Sequence, residues 1–263
     1  MPLFIFPLIL SLLSIILHSI MQAIILAAGI SKRLRPLTDS TPKCLLKLGE
    51  KTILEMTINN VLKNGIDDFV MVTGYRENMI KEFIRKKYPD LSTKFLTNPD
   101  YENNNNSYSL WMTKDHINSD CILLDSDIIF DYRIISKLLA SEHSNCLAVN
   151  CNHTLGEEEI KVIVDSTNKI QHIGKTPDPA ISIGESIGIE RFSHDFFVKL
   201  GRILDRKIVK EHNVNEFYEV SFQELINAGN GIFAVDVSEY RSMEIDTPAD
   251  FERAATEIKG ITI

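Results

Sequence analysis

The segment Ala23-Ile-Ile-Leu-Ala-Ala-Gly-Ile-Ser-Lys-Arg-Leu-Arg-Pro-Leu-Thr-Asp-Ser-Thr-Pro-Lys43 passes from an unbroken apolar stretch through a turn of small residues into a run of cations. Residues 23–27 are apolar without alternation, the pattern of a strand buried on both faces. In open α/β sheets, ligands bind at the carboxyl ends of such strands. Ala27, Ala28 and Gly29 lack bulk there, so backbone N–H groups can approach a nucleotide, and Arg33, Arg35 and Lys43 bring three cations towards its phosphates. The loop is neither a Gly-Lys-Ser/Thr phosphate loop nor a GxGxxG dinucleotide turn, because the required glycines are missing.

Outward from this loop, strand and helix patterns alternate. A Thr52-x-x-Glu55 capping box opens a helix running to residue 64. Strands are expected at 69–73, 94–97 and 121–124, and helices at 78–88 and 107–117. The alternation predicts an α/β fold with a mostly parallel sheet flanked by helices. Residues 160–164 and 169–173 alternate around an Asp165-Ser166-Thr167-Asn168 turn, which predicts an antiparallel hairpin forming a small lid element in the carboxyl half. Helices at 193–204 and 219–228, strands at 233–237 and 243–245, and a closing helix from Pro248 complete the pattern.

Composition narrows the function. A net charge of −8 over 263 residues argues against a chain that coats a polyanion, so no nucleic-acid partner is expected. Cys44, Cys121, Cys146 and Cys151 form no CxxC pair and are too few for a secreted disulfide scaffold, so reduced thiols and a cytoplasmic location are expected. His116, His143, His153, His172, His194 and His212 show no metal-ligand spacing. Residues 1–20 form an apolar leader with no Lys, Arg, Asp or Glu. A domain beginning at Met21 would leave that leader as upstream sequence wrongly included in the chain. The alternatives are a membrane anchor, which would give the protein a membrane partner, and a signal peptide. Residues 21–263 are read as the functional domain.

Two carboxylate segments suggest a metal. Leu123-Leu124-Asp125-Ser126-Asp127 ends a buried strand at the sheet edge that carries the cationic loop, and Mg²⁺ prefers hard oxygen ligands, which makes Asp127 a candidate. In Met243-Glu244-Ile245-Asp246-Thr247-Pro248, Asp246 is either a second ligand or a helix N-cap.

The 23–43 segment resembles the LAAGxGxR…PLT…PK pattern of nucleoside-triphosphate transferases, with Ser31 where that pattern carries Gly. The resemblance implies a Rossmann-like sheet and catalytic roles for Arg33 and Lys43 on the triphosphate. It also implies Mg²⁺ held by Asp127 and Asp246, with the turn at Leu26, Ala27, Ala28 and Gly29 cradling the nucleotide. Asp125 is read as supporting the loop or touching the ribose. The stretch Asn98-Pro-Asp-Tyr-Glu-Asn-Asn-Asn-Asn-Ser-Tyr-Ser-Leu-Trp111 is similar, in its N-N-x-x-S-L-W, to the phosphocholine cytidylyltransferase branch. That likeness implies CTP as donor, with Asn98, Asn105 and Asn106 near base and ribose, and a small phosphorylated or phosphonylated acceptor. Phosphocholine leads, and 2-aminoethylphosphonate or a sugar 1-phosphate is the alternative. A quaternary ammonium needs an aromatic face with acidic support, which makes Trp111, Glu185, Tyr218 and Glu219 the acceptor candidates. A catalytically silent nucleotide-binding regulator is the rival reading. It has no need of two carboxylates for a metal.

Overall fold

The computed structural model describes residues 21–152, 154–258 and 261–262, so the leader and its alternatives lie outside the described residues. β1 (Gln22–Ala27) leads through short 3-10 turns at Lys32–Leu34 and Lys43–Leu45 to a small hairpin, β2 (Lys47–Leu48) and β3 (Lys51–Thr52), and then α1 (Ile53–Lys63). The Thr52 hydroxyl caps α1, accepting from the Glu55 amide at 3.0 Å. The alternation continues through β4 (Asp68–Thr73), α2 (Glu77–Lys87), β5 (Ser92–Thr97), α3 (Asn106–Met112) and β6 (Cys121–Asp125). Next come β7 (Ile128–Phe130), α4 (Arg133–Ala140) and β8 (Cys146–Asn150). The hairpin β9 (Lys161–Val164) and β10 (Ile170–Gly174) precedes a long strand, β11 (Gly184–Phe192), and α5 (His194–Asp205), which widens into a π turn at Arg206–Lys210. α6 (Glu219–Asn227), β12 (Phe233–Asp236), β13 (Ser242–Glu244) and α7 (Pro248–Glu257) close the chain.

β6, β1, β4 and β5 are parallel neighbours in that order, as the βα alternation requires. Every residue of β1 is buried, with Ala23, Ile25 and Ala27 packed into one apolar layer and Ile24, Leu26 and Ala28 into the layer on the opposite face. This double burial is why the strand reads as a continuous apolar run. Among the described residues, no helix is long and apolar enough to cross a membrane.

The carboxyl half extends the same sheet instead of standing apart from it. β11 runs antiparallel to β6 through Ile189–Phe192, holds β8 along its other edge and meets β9 through Gly184 and Glu185. The expected 160–173 hairpin is β9 and β10, antiparallel at the end of the sheet. β8, α4 and β11 lie outside the sequence expectations, and α3 is shorter than expected, ending at Met112. The register of β11 shifts between Ser186 and Glu190, where Gly188 takes φ +69°. A Cβ at Gly188 would stand 2.7 Å from Asp125 Oδ2, so glycine is required by both the backbone and the close approach.

Candidate active site

The parallel strands β1, β4 and β6 end on one edge, where a cavity of about 890 Å³ opens. Leu26, Ala27, Ala28 and Gly29 line it, as do Asn98, Asn105, Asn106 and Asp125. Ser31, also on the wall, adopts φ +53°, a left-handed conformation that glycine takes without strain. The backbone therefore accounts for the Gly expected at that position.

Aspartates far apart in sequence meet because β13 pairs antiparallel with β7: Ser242 opposes Phe130 and Glu244 opposes Ile128. The pairing continues past the strand, with the Ile245 amide donating to the Asp127 carbonyl at 3.0 Å. Asp246 is not the helix cap. Thr247 caps α7 in a reciprocal box with Asp250, which leaves the Asp246 carboxylate for other partners. Lys43, 5 % exposed, donates to Asp127 at 3.0 Å and to Asp246 at 2.6 Å, and Arg33 closes on Asp246 from the solvent side. Burial alone would depress the Lys43 ammonium, but the two aspartates outweigh it and hold its pKa above the ordinary value.

Ligand oxygens of Asp127, Glu244 and Asp246 lie within 4.8 Å of one another. Three hard carboxylate donors at that separation fit a Mg²⁺-sized ion that also keeps phosphate oxygens and waters. Glu244 reaches solvent, yet the surrounding protein, followed by the charges of Asp127 and Asp246, raises its pKa to about 8. Sequence reading quoted Glu244 without assigning it a role. The signal that could have found it is its spacing from Asp246, i and i+2 at a strand end.

The asparagines form a polar shelf. Asn98 is buried and donates to Asn104 Oδ1 at 2.8 Å and Ser109 Oγ at 3.2 Å, while Asn105 caps α3 by accepting from the Asn106 amide. The Asn106 side-chain oxygen accepts from the Tyr218 amide at 3.0 Å. The cavity wall also carries Glu185, Glu219, Lys175 and Phe217. Glu219 is 6 % exposed, its Oε2 meets no hydrogen-bond partner among the described residues, and burial raises its pKa to about 7. The Lys175 ammonium pairs with Glu158 at 2.7 Å and stands 4.8 Å from the centre of the Phe217 ring.

Two acceptor candidates are not on the cavity wall. Trp111 belongs to α3, where its indole N–H donates to Asp205 at 2.7 Å and its ring packs against the apolar layer beneath the sheet. Tyr218 is fully buried against Phe222, and its hydroxyl donates to Asp125 Oδ2 at 2.9 Å. Burial, followed by Asp127 and Glu219, pushes the Asp125 carboxyl well above the usual range, against the Tyr218 hydrogen bond. The aromatics that do line the cavity are Tyr101 and Phe217, the latter next to Tyr218 in the chain. Sequence alone does not tell which of two adjacent aromatics faces inward at a helix start.

Residues 22–162 match the family model for nucleotidyl transferases. CTP:phosphoglutamine cytidylyltransferase of Campylobacter jejuni is 28% identical over 88% of this chain and 98% of its own length. A bifunctional IPC transferase and DIPP synthase of Aquifex aeolicus is 29% identical over 91% of this chain, and the chain spans about half (53%) of that longer protein. Among solved structures, CTP:phosphocholine cytidylyltransferase from Streptococcus pneumoniae superposes with a TM-score of 0.72 over 90% of this chain and 99% of its own, at 22% identity, a likeness of fold.

Proposed function

The chain belongs to the nucleotidyl transferase family, and from that premise we propose that it is a Mg²⁺-dependent cytidylyltransferase. It transfers CMP from CTP to a small phosphorylated or phosphonylated acceptor and releases pyrophosphate. The observation that carries the reading is the convergence of Lys43, Arg33, Asp127 and Asp246 at the strand-end turn that lines the cavity. An oxygen of the acceptor phosphate attacks the α-phosphorus as the bond to the β-phosphate breaks. Two anions must approach, so the protein's contribution is positioning and charge stabilisation. Arg33 and Lys43 neutralise the triphosphate and the leaving pyrophosphate, and backbone amides at residues 27–29 seat the phosphates. Asp127, Asp246 and Glu244 would hold Mg²⁺, which supplies Lewis-acid stabilisation of phosphoryl charge when bound.

Cytosine as the base is supported by the relatives named for CTP and by the asparagine shelf, whose amides offer both donors and acceptors to a pyrimidine edge. Lys175, on the cavity wall beside Phe217, is a cation available to the acceptor's own phosphate. Glu219, with an oxygen unpartnered, suits a cationic nitrogen on the acceptor. Phosphocholine and 2-aminoethylphosphonate both meet those requirements. Pyrophosphate release is the test, measured with CTP, UTP, ATP and GTP against phosphocholine, 2-aminoethylphosphonate and glucose 1-phosphate. CTP with an amine-bearing acceptor is the expected productive pair. Turnover confined to another nucleotide with the sugar phosphate would replace this reading, and no turnover in any pairing would favour the silent regulator.

A further inference from the structure

The segment between α5 and α6 carries Phe217 to the cavity wall and leads directly into Glu219, the first residue of α6, yet it has no regular structure from 211 to 218. Backbone hydrogen bonds and the buried Tyr218 hold part of it, and an ionic clasp holds the rest. α5 ends in the π turn Arg206–Lys210, which turns Lys207 and Ile208 inward, and widened turns of this kind are frequent at functional sites. The Lys207 side chain is 8 % exposed, and its ammonium meets Glu216 Oε2 at 2.9 Å and Glu224 Oε1 at 2.6 Å. Glu216 precedes Phe217 in the chain, and Glu224 lies about one and a half turns beyond Glu219 on α6. The Lys207 carbonyl accepts from the Asn213 amide at 2.8 Å, and Arg206 pairs with Glu211 and Glu224 from the outside. On its far side the segment is tied to the shelf, where the Asn105 amide donates to the Val214 carbonyl at 2.9 Å.

We infer that Lys207 is a positioning residue, whose ammonium clasps Glu216 to Glu224 and thereby sets where Phe217 and Glu219 stand on the acceptor wall. A buried ion pair contributes little net stability against an apolar replacement, and its best-attested use is to specify one arrangement among several. Removing the shared cation leaves Glu216 and Glu224 facing each other at short range, with Arg206 on the outer side of Glu224 as the remaining counter-charge. The segment relieves that repulsion by carrying Glu216 into solvent, and Phe217 moves with it. Substrate contacts stay with Phe217 and Glu219, so the expected signature is weaker acceptor binding with the chemical step kept.

The structural half of the inference stands alone, and the kinetic half rests on the function proposed above. Hydrogen–deuterium exchange compares the wild type with Lys207→Met, and steady-state kinetics use phosphocholine and 2-aminoethylphosphonate as probes. Exchange across 213–219 should quicken about tenfold while β1 and β6 keep their protection. KM for the acceptor should rise by roughly fivefold or more while kcat and the KM for CTP stay within about twofold, and Lys207→Arg should restore most of the loss. Unchanged exchange across 213–219 overturns the clasp, as does a joint loss on both substrates that Lys207→Arg does not rescue. Should Lys207→Met fail to fold, Glu216→Gln cuts the same contact from the loop side, leaves Lys207 on Glu224 and gives the same exchange reading. If the wild type releases pyrophosphate with neither probe, the acceptor reading fails while the exchange result still decides the clasp.

Discussion

The part of the cavity proposed to take the nucleotide is charged and internally paired, with Lys43 and Arg33 closed onto Asp127 and Asp246, whereas the part proposed to take the acceptor holds Glu219, a buried carboxyl with one oxygen unpartnered. The ends are also built differently. Turns following parallel strands assemble most of the first, and a long antiparallel strand, a hairpin and an irregular segment assemble the second. Paired charges of fixed geometry suit a reaction centre, where preorganisation carries most of the rate. A polar group awaiting a partner suits selection among acceptors, because an unmatched ligand leaves that group unsatisfied.

The most severe test of this contrast is Asp127→Asn or Asp246→Asn. Either should lower turnover by about three orders of magnitude or more while circular dichroism stays that of the wild type. Near-normal pyrophosphate release by both variants would mean the paired end is not the reaction centre. Lys43→Ala should reduce kcat by roughly 10²–10³ and raise the KM for CTP much less, since charge on the transferring group grows towards the transition state. A loss confined to KM would make Lys43 an anchor only.

At the acceptor end the effects should be smaller and of another kind. Glu219→Gln should raise the acceptor KM about tenfold, equivalent to roughly 1.4 kcal/mol, with the KM for CTP unaltered. The pH profile sharpens the assignment. Burial raises the Glu219 carboxyl from 4.5 to about 7, so between those values the folded chain keeps a proton that the unfolded chain has lost. Stability therefore falls as pH rises from 4.5 towards 7, by up to roughly 3 kcal/mol, and levels off above it. Glu219→Gln should remove that decline in denaturant titrations run across the window, and a wild-type curve that is flat there would contradict the assignment. Acceptor binding should strengthen through the same interval as the carboxylate forms. The smallest effect is expected of Trp111→Phe, which loses the hydrogen bond to Asp205 at a cost of about 1 kcal/mol in stability. Its kinetics should stay within about twofold. A large acceptor effect there would return the indole to the binding wall.

Legibility in the sequence follows the same division. β1, the small-residue turn, Arg33, Lys43 and Asp127 were readable because their chemistry is local: an apolar run, a turn and a charge at a strand end. The Asp246 question was posed by the sequence and answered only in three dimensions, where Thr247 takes the cap. β11 escaped notice because its Glu185 and Glu190 interrupt the apolar pattern, and its register shift at Gly188 breaks the alternation. Lys175, Phe217 and Glu244 are not legible in sequence because their place on the cavity wall depends on which distant element they meet. Trp111 and Tyr218 attracted attention for their side chains, but the packing of α3 and the start of α6 turned both inward.

Lys43 has a consequence for how the chain tolerates its own catalytic residues. Reactive sites commonly burden a fold, since groups arranged for a substrate are poorly arranged for each other. Here three carboxylates crowd within 4.8 Å, a concentration of acid that would strain the β7 and β13 pairing by self-repulsion. Lys43 from within and Arg33 from outside offset two of them, and burial with the two aspartates pushes the Glu244 carboxyl upward, which lessens its charge in the cluster. The residue proposed to act on the triphosphate is thus also a counter-ion to the carboxylate cluster. On the proposed function, the same Lys43 ammonium would serve both the reaction and the stability of the folded site.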